Sequence, residues 1–267
     1  MVSESFSEIA RRYKETSIIQ KSAADILFAL LKIQPAENVL DIGCGTGNLT
    51  RKIYEISGGT VVGIDPAAGM ISESKKVFGK DIEFLVRSAE EIDFVNQFDV
   101  IFCNSAFQWI KNIDKAISNF HRSLKKGGRI GIQAPARKNY SPNFIEAIET
   151  VKKNPYCARY MQDFISPWSL LETARDYASC FTRHSFKVAF SKIQTISTFH
   201  SPEETYEIFA SGATAGYLNK DNYKYGFDQR YWEEFQQVVK ESFQKQAIHE
   251  GKVNLAFNRI YLIAVKV

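Results

Sequence analysis

A glycine-rich turn directly after an apolar strand constrains this chain most. Asn38-Val39-Leu40-Asp41-Ile42 reads as a buried strand, and Gly43-Cys44-Gly45-Thr46-Gly47 follows at once. Glycines lack Cβ atoms, so backbone there can turn tightly and approach a ligand. A helical stretch near 49–56 comes next. Further apolar strands follow at 60–65, 82–86, 98–103 and 129–133, with Lys126-Gly127-Gly128 ending the helix before the last of them. Short, nearly continuous apolar strands spaced by helices indicate a parallel sheet covered on both faces.

The second half changes character. Ser141-Pro142 and Ser201-Pro202-Glu203-Glu204 carry helix-start signals, with Ser as N-cap and Pro in the first turn. Ser169 to Glu172 has capping-box spacing, and Leu170, Leu171, Ala174, Tyr177, Ala178 and Phe181 continue it as one stripe. Trp232, Phe235, Val238, Val239 and Phe243 form another stripe, and 186–199 and 254–267 read as strands. The expected architecture is α/β: a doubly wound, mostly parallel Rossmann-like sheet with an antiparallel C-terminal strand and a helical cap. Residues 1–136, 166–199 and 254–267 would build the core, and 137–165 and 200–253 the cap over the substrate site.

Bulk properties exclude several function classes. The 267 residues carry 34 basic and 30 acidic side chains, a net charge of +4, and the lysine pairs are scattered. No basic run tracks a phosphate backbone, so no nucleic-acid partner is expected. None of the four cysteines lies in a C-x-x-C pair, which leaves a zinc site and a thioredoxin-like motif without support, and no metal is expected. Cys44 and Cys103 sit in apolar strand ends and read as small hydrophobes. The N-terminus shows no signal-peptide stretch and no apolar run reaches bilayer length, so the expectation is a cytoplasmic protein without a membrane partner.

Four features fall just after strands, where an open α/β sheet binds ligands. The spacing from Gly43 is G-x-G-x-G, not the G-x-G-x-x-G of dinucleotide binding, and the preceding Asp41 suits a cationic ligand better than a polyanion. Asp65 ends the second strand about 20 residues past the loop, where a carboxylate can accept both ribose hydroxyls. Pro66 and Met70 follow it and can pack on an adenine face. Ser88 and Ala89 lie after the third strand and can line the adenine edge, although Ser88 and Glu91 also have capping-box spacing. Asn104-Ser105-Ala106-Phe107-Gln108-Trp109 follows the fourth strand, and an aromatic ring there can meet a sulfonium by cation–π attraction.

On these residues the chain resembles the class I S-adenosylmethionine-dependent methyltransferases, most closely the trans-aconitate and malonyl-carrier-protein methyltransferase group. Asp41 to Gly47, Asp65 and Asn104 to Trp109 carry the resemblance, joined by Tyr13, Gln20 and Lys126-Gly127-Gly128, over roughly residues 6–135. It implies S-adenosyl-L-methionine as cofactor, with Asp41, Gly43, Gly45, Asp65, Pro66, Met70, Ser88, Ala89, Asn104, Tyr13 and Gln20 around it, and Gln108 and Trp109 at the methyl-facing wall. Two positions depart from the group: Ser88 stands where an Asp usually meets the adenine amino group, and Lys14 follows Tyr13 in place of Asp.

The expected function is methylation of a small molecule. A carboxylate acceptor is ionised at neutral pH and needs no general base, whereas a phenol or amine would need one. None of the four histidines, His121, His184, His200 and His249, lies in a strand-end feature. This favours a carboxylic acid or an acyl thioester bearing a free carboxylate, with Arg137 and Arg159 as candidate partners for it. Two other classes stand beside this reading: a nucleotide-binding dehydrogenase, disfavoured by the loop spacing, and a non-catalytic module built on a cofactor fold.

Overall fold

The computed structural model describes residues 18–267, with side chains from residue 23 onward. Seven strands form one sheet in the order β3-β2-β1-β4-β5-β7-β6. The parallel part comprises β1 (Val39–Ile42), β2 (Val61–Asp65), β3 (Glu83–Val86), β4 (Phe98–Asn104) and β5 (Leu124–Pro135). The long strands β6 (Phe186–His200) and β7 (Val253–Lys266) close one side, β7 antiparallel to both β5 and β6. The order reverses between β1 and β4, and the carboxyl ends of these two strands therefore frame a crevice.

Two-residue alternation divides the strand side chains between two helical layers. Leu40, Ile42, Ile101 and Cys103 share one face and pack with Ile117 and Phe120 of α4 (Ile113–Ser123) and Tyr177 and Phe181 of α7 (Ala174–Thr182). Val39, Val100 and Phe102 take the other face, with α1 (Ile18–Leu31), α2 (Asn48–Ser57) and α3 (Ala68–Phe78) supplying Leu27, Ile53 and Ile71. Both faces are covered, which is why these strands read as unbroken apolar runs.

A second apolar cluster lies beyond the sheet. It joins α5 (Pro142–Lys153), α6 (Ala158–Met161), α8 (Pro202–Gly212), α9 (Thr214–Tyr217) and α10 (Gln229–Gln246) to the first half of β7 through Val253, Leu255 and Phe257. Phe144 anchors it, with ring centroids 5.0 Å from Phe209, 5.7 Å from Phe243 and 5.2 Å from Phe257. Truncating such a buried Phe to Ala costs about 3–5 kcal/mol.

Three local expectations are corrected. Lys126-Gly127-Gly128 does not end a helix: α4 stops at Ser123, and the segment bulges within β5, between the pairs Phe98–Leu124 and Val100–Arg129. The helix expected from Ser169 starts at Ala174 instead. Thr173 and Asp176 form its capping box, while Ser169 is drawn away, its amide donating to Gln108 O at 2.8 Å and its hydroxyl to Ile110 O at 2.9 Å. On α10, Phe235, Val238, Val239 and Phe243 are buried as expected, but Tyr231 takes the first place of the stripe and Trp232 is 41% exposed.

Candidate active site

The β1 loop is fastened at both ends. Gly43 and Cys44 amides donate to Ile64 O at 2.8 and 2.9 Å. Gly43 has φ +70°, and a Cβ there would lie 2.3 Å from Cβ of Ala106, so the β1 and β4 loops touch at a point only glycine allows. Gly45, at φ +54°, has nothing within 4 Å of its Cβ position and presents bare backbone to open space. Its amide donates to Asp65 Oδ2 at 3.1 Å, and the Ala67 amide donates to Asp65 Oδ1 at 2.8 Å. Each Asp65 oxygen keeps a lone pair for a ligand hydroxyl. Burial raises the Asp65 carboxyl above its ordinary range, against the opposing pull of these two amides.

These loops border one cavity of about 860 Å³. Gly43, Gly45, Asp65, Pro66, Met70, Ser88, Ala89, Asn104, Gln108 and Trp109 all line it. Asp41 is not among the lining residues. It is sealed beneath the loop, where its Oδ2 accepts from Thr50 Oγ1 at 2.7 Å, and burial, with Asp65 adding repulsion, pushes its carboxyl up to about 7. Tyr13 lies outside the described residues, as does the side chain of Gln20. The Ser88 hydroxyl donates to Glu91 at 2.8 Å, within the local box. Glu90 Oε1 accepts from the amides of Lys111 and Asn112 at 3.0 and 3.2 Å and ties the β3 loop to the segment after β4.

The end of β4 is held from below by Gln133, a fully buried side chain on β5. With its amide oriented to satisfy both ends, Nε2 donates to Asn104 Oδ1 at 2.9 Å and to Ser105 Oγ at 3.0 Å, while Oε1 accepts from Arg259 Nη1 at 2.9 Å. Ser105 sits at φ +54°, a left-handed conformation uncommon for a non-glycine residue, and its amide donates to Gln133 O at 2.7 Å. Gln108 Nε2 donates to Ser105 O at 2.8 Å, and its Oε1 is buried with no partner among the described residues. Trp109 is 38% exposed and meets Trp168 edge-on at 5.6 Å, so it is a cavity wall and not core.

The pieces fit an adenosyl sulfonium. A carboxylate stands at the β2 tip, where it can accept from vicinal hydroxyls, and bare glycine backbone faces the cavity. Residues 39–128, which span this loop, Asp65 and the β4 wall, match the family described as methyltransferase domain. The chain carries a class I methyltransferase domain. That class uses S-adenosylmethionine.

Relatives agree with this methyltransferase assignment. The malonyl-[acyl-carrier protein] O-methyltransferase 2 of Ilyobacter polytropus is 31% identical over 169 residues, covering 62% of this chain and 64% of that protein. The trans-aconitate 2-methyltransferase of Deinococcus radiodurans is 26% identical over 131 residues, 49% of this chain and 50% of the relative. The chain thus spans less than two thirds of the length of these relatives. In structure, Haemonchus contortus phosphoethanolamine N-methyltransferase 2, solved with phosphomonomethylethanolamine and S-adenosylhomocysteine, shares the fold at a TM-score of 0.54 and 21% identity, over 92% of this chain and 52% of that one.

The cap side of the methyltransferase cavity carries residues that sequence reasoning missed. Tyr140, Phe144, Trp168, Leu170, Phe257 and Arg259 line it. Arg137 and Arg159 do not line it. Arg159 lies 4.0 Å over the Tyr156 ring and 4.7 Å over that of Tyr160, beside Asp228. The overlooked signal was a charged residue, Arg259, inside the strongest apolar run of the chain.

Proposed function

We propose that this chain is an S-adenosylmethionine-dependent methyltransferase of a small molecule, and that it methylates a carboxylate oxygen. The observation that carries the reading is the chemistry of the wall facing the crevice between β1 and β4. Asn104, Gln108 and Trp109 form it, and among the described lining residues there is no histidine or lysine. Of the two lining carboxylates, Asp65 and Glu90, each is bound to two backbone amides on the cofactor side. Tyr140 is held far above its ordinary pKa by burial and stays a neutral donor. Such a wall positions an acceptor and supplies it no base. A carboxylate needs none.

When bound, the sulfonium supplies the methyl group: the O–C bond forms as the C–S bond breaks, the electron pair stays on sulfur, and no proton moves. The protein's contribution is orientation, the holding of both partners at attack distance. Attraction between opposite charges vanishes along this path, so a dry, apolar enclosure suits the reaction. The relatives, a malonyl-carrier-protein O-methyltransferase and a trans-aconitate methyltransferase, support a carboxylic acid or an acyl thioester with a free carboxylate, including one on a carrier protein.

Transfer of labelled methyl from the cofactor to a panel of acids, thioesters, phenols and amines tests this. The expected result is label in compounds with a free carboxylate, released by mild alkali as a methyl ester should be. Trp109→Ala should lower turnover more than cofactor affinity, and at saturating cofactor the rate should stay flat from about pH 6 to 8. Label confined to amines or phenols, or a rate rising steeply through neutrality, contradicts the carboxylate assignment.

A further inference from the structure

Three polar side chains run in a row across the sheet at the end of β4. Asn104 on β4 pairs with Gln133 on β5, and Gln133 pairs with Tyr261 on β7. Arg259 stands two residues before Tyr261 and therefore shares its face. Gln133 is fully buried in the middle of this row, while Asn104 and Arg259 border the cavity. A buried amide end left unpaired costs about 1–3 kcal/mol, so each end of Gln133 needs a partner of the right sense.

That sense is set from β7. A guanidinium has N–H donors and no acceptor, so the atom of Gln133 that meets Arg259 Nη1 at 2.9 Å is the oxygen. The Ala134 amide donates to the same oxygen at 3.2 Å. Nε2 is thereby turned toward β4, where it donates to Asn104 Oδ1 at 2.9 Å and to Ser105 Oγ at 3.0 Å. The next amide is fixed in turn. With Asn104 Oδ1 held by Gln133, Nδ2 is the end left for the cavity. Ser105 Oγ accepts from Nε2 and keeps its own hydrogen to donate, and Ser105 borders the cavity as well. The side chains of Asn104 and Ser105 thus present donors on the wall that faces the crevice between β1 and β4.

We propose that Gln133 is a positioning residue of this site: it passes the donor-only character of Arg259 on to Asn104, so that Asn104 Nδ2 donates to a carboxylate oxygen bound in the crevice. A carboxylate only accepts, so Asn104 in the reverse orientation would repel it. Two carboxylates can come to this place, that of the methyl acceptor and that of the cofactor's amino-acid end, and Asn104 recognises the same chemistry in both. The guanidinium touches neither; whatever else it binds, it offers Gln133 a donor. The inference rests on the methyltransferase reading above. It adds a residue outside 39–128 that decides the sense of a hydrogen bond made inside that segment.

Gln133→Glu tests this, because it keeps the shape and removes the donor. At about pH 8 the new carboxylate is ionised beside Arg259, and Asn104 must turn Nδ2 inward and Oδ1 to the cavity. Side-chain amide NMR of isotope-labelled protein reads the turn directly, with the Asn104 signal assigned by its loss in Asn104→Ala. The Gln133 NH2 should be better protected from solvent exchange than that of Asn104 in the wild-type protein, and the Asn104 NH2 should become protected in Gln133→Glu. Calorimetry reads the consequence. S-adenosylhomocysteine against methylthioadenosine, which lacks the amino-acid end, isolates the cofactor carboxylate. Malonate against malonamide, with S-adenosylhomocysteine present, isolates that of an acceptor. Gln133→Glu should weaken at least one of the two carboxylates about tenfold or more and leave its control ligand within about threefold. Loss on S-adenosylhomocysteine assigns the bond to the cofactor, and loss on malonate alone assigns it to the acceptor. If the wild-type protein binds no malonate, the cofactor comparison decides alone. In an Asn104→Ala background Gln133→Glu should cause no further loss, whereas a merely structural effect would persist there. An Asn104 NH2 that stays unprotected in Gln133→Glu, or unchanged affinity for every carboxylate the wild-type protein binds, overturns the proposal. Should Gln133→Glu fail to fold, Gln133→Met decides: it frees Asn104 to take either orientation and should weaken the same carboxylate about threefold or more, and no change overturns the relay. Absence of S-adenosylhomocysteine binding by the wild-type protein contradicts the methyltransferase reading itself, a separate result.

Discussion

Thr50 Oγ1 donates to Asp41 Oδ2 at 2.7 Å, and both side chains are shut away from solvent beneath the glycine loop. The carboxyl is pushed up to about 7 by burial and stands next to Asp65. A carboxyl whose folded pKa exceeds its unfolded value of about 3.9 binds its proton more tightly in the native chain. Its contribution to stability is therefore complete below about pH 4 and is lost as the pH rises through about 7. Asp41→Asn should remove that part of the decline, seen as a flatter difference in denaturant midpoint between pH 5 and 8. Thr50→Val should destabilise by about 1–3 kcal/mol, since it leaves the buried carboxyl without its donor. A wild-type stability that rises over this interval relative to Asp41→Asn would contradict the assignment.

The loop geometry makes a second prediction. Asp65→Ala should weaken S-adenosylhomocysteine binding by about 1.5–3 kcal/mol, the range for hydrogen bonds to a charged group. Gly43→Ala should be worse than Gly45→Ala for both melting temperature and affinity. Both positions have positive φ, but only at Gly43 does the new methyl collide with Ala106. Equal effects at the two glycines, or full affinity in Asp65→Ala, would remove the account of how the loop and β2 share the ligand.

The parallel sheet was legible because its central strands are buried on both faces, so apolar runs such as 98–103 had one reading. The glycine loop and Asp65 were legible because they stand at strand ends, where short-range sequence fixes geometry. Asp41 was misplaced at the surface of the site: a carboxyl in a motif looks alike whether it faces the ligand or supports the loop from below, and only its bond to Thr50 distinguishes them. Arg259 and Tyr140 were missed for a different reason. Their approach depends on β7 pairing with β5 and on the helices packed over Phe257, contacts more than 100 residues apart in the chain. Competing caps explain the shifted start of α7, where Thr173 with Asp176 prevailed over Ser169.

We propose that segments 137–165 and 200–253, which contribute Tyr140, Phe144, Ile208, Ser211 and Ala213 to the cavity lining, act as a lid. Adding S-adenosylhomocysteine should slow amide hydrogen exchange in these segments as the enclosure tightens. Equal, core-like protection in both states would make them a rigid appendage.

The central claim is that the crevice between β1 and β4 takes an adenosyl sulfonium and not a dinucleotide. Titration calorimetry of the same preparation with S-adenosylhomocysteine and with NADH tests it most directly. The account predicts saturable one-to-one binding of S-adenosylhomocysteine and negligible heat with NADH. Tight NADH binding with no S-adenosylhomocysteine signal would contradict it.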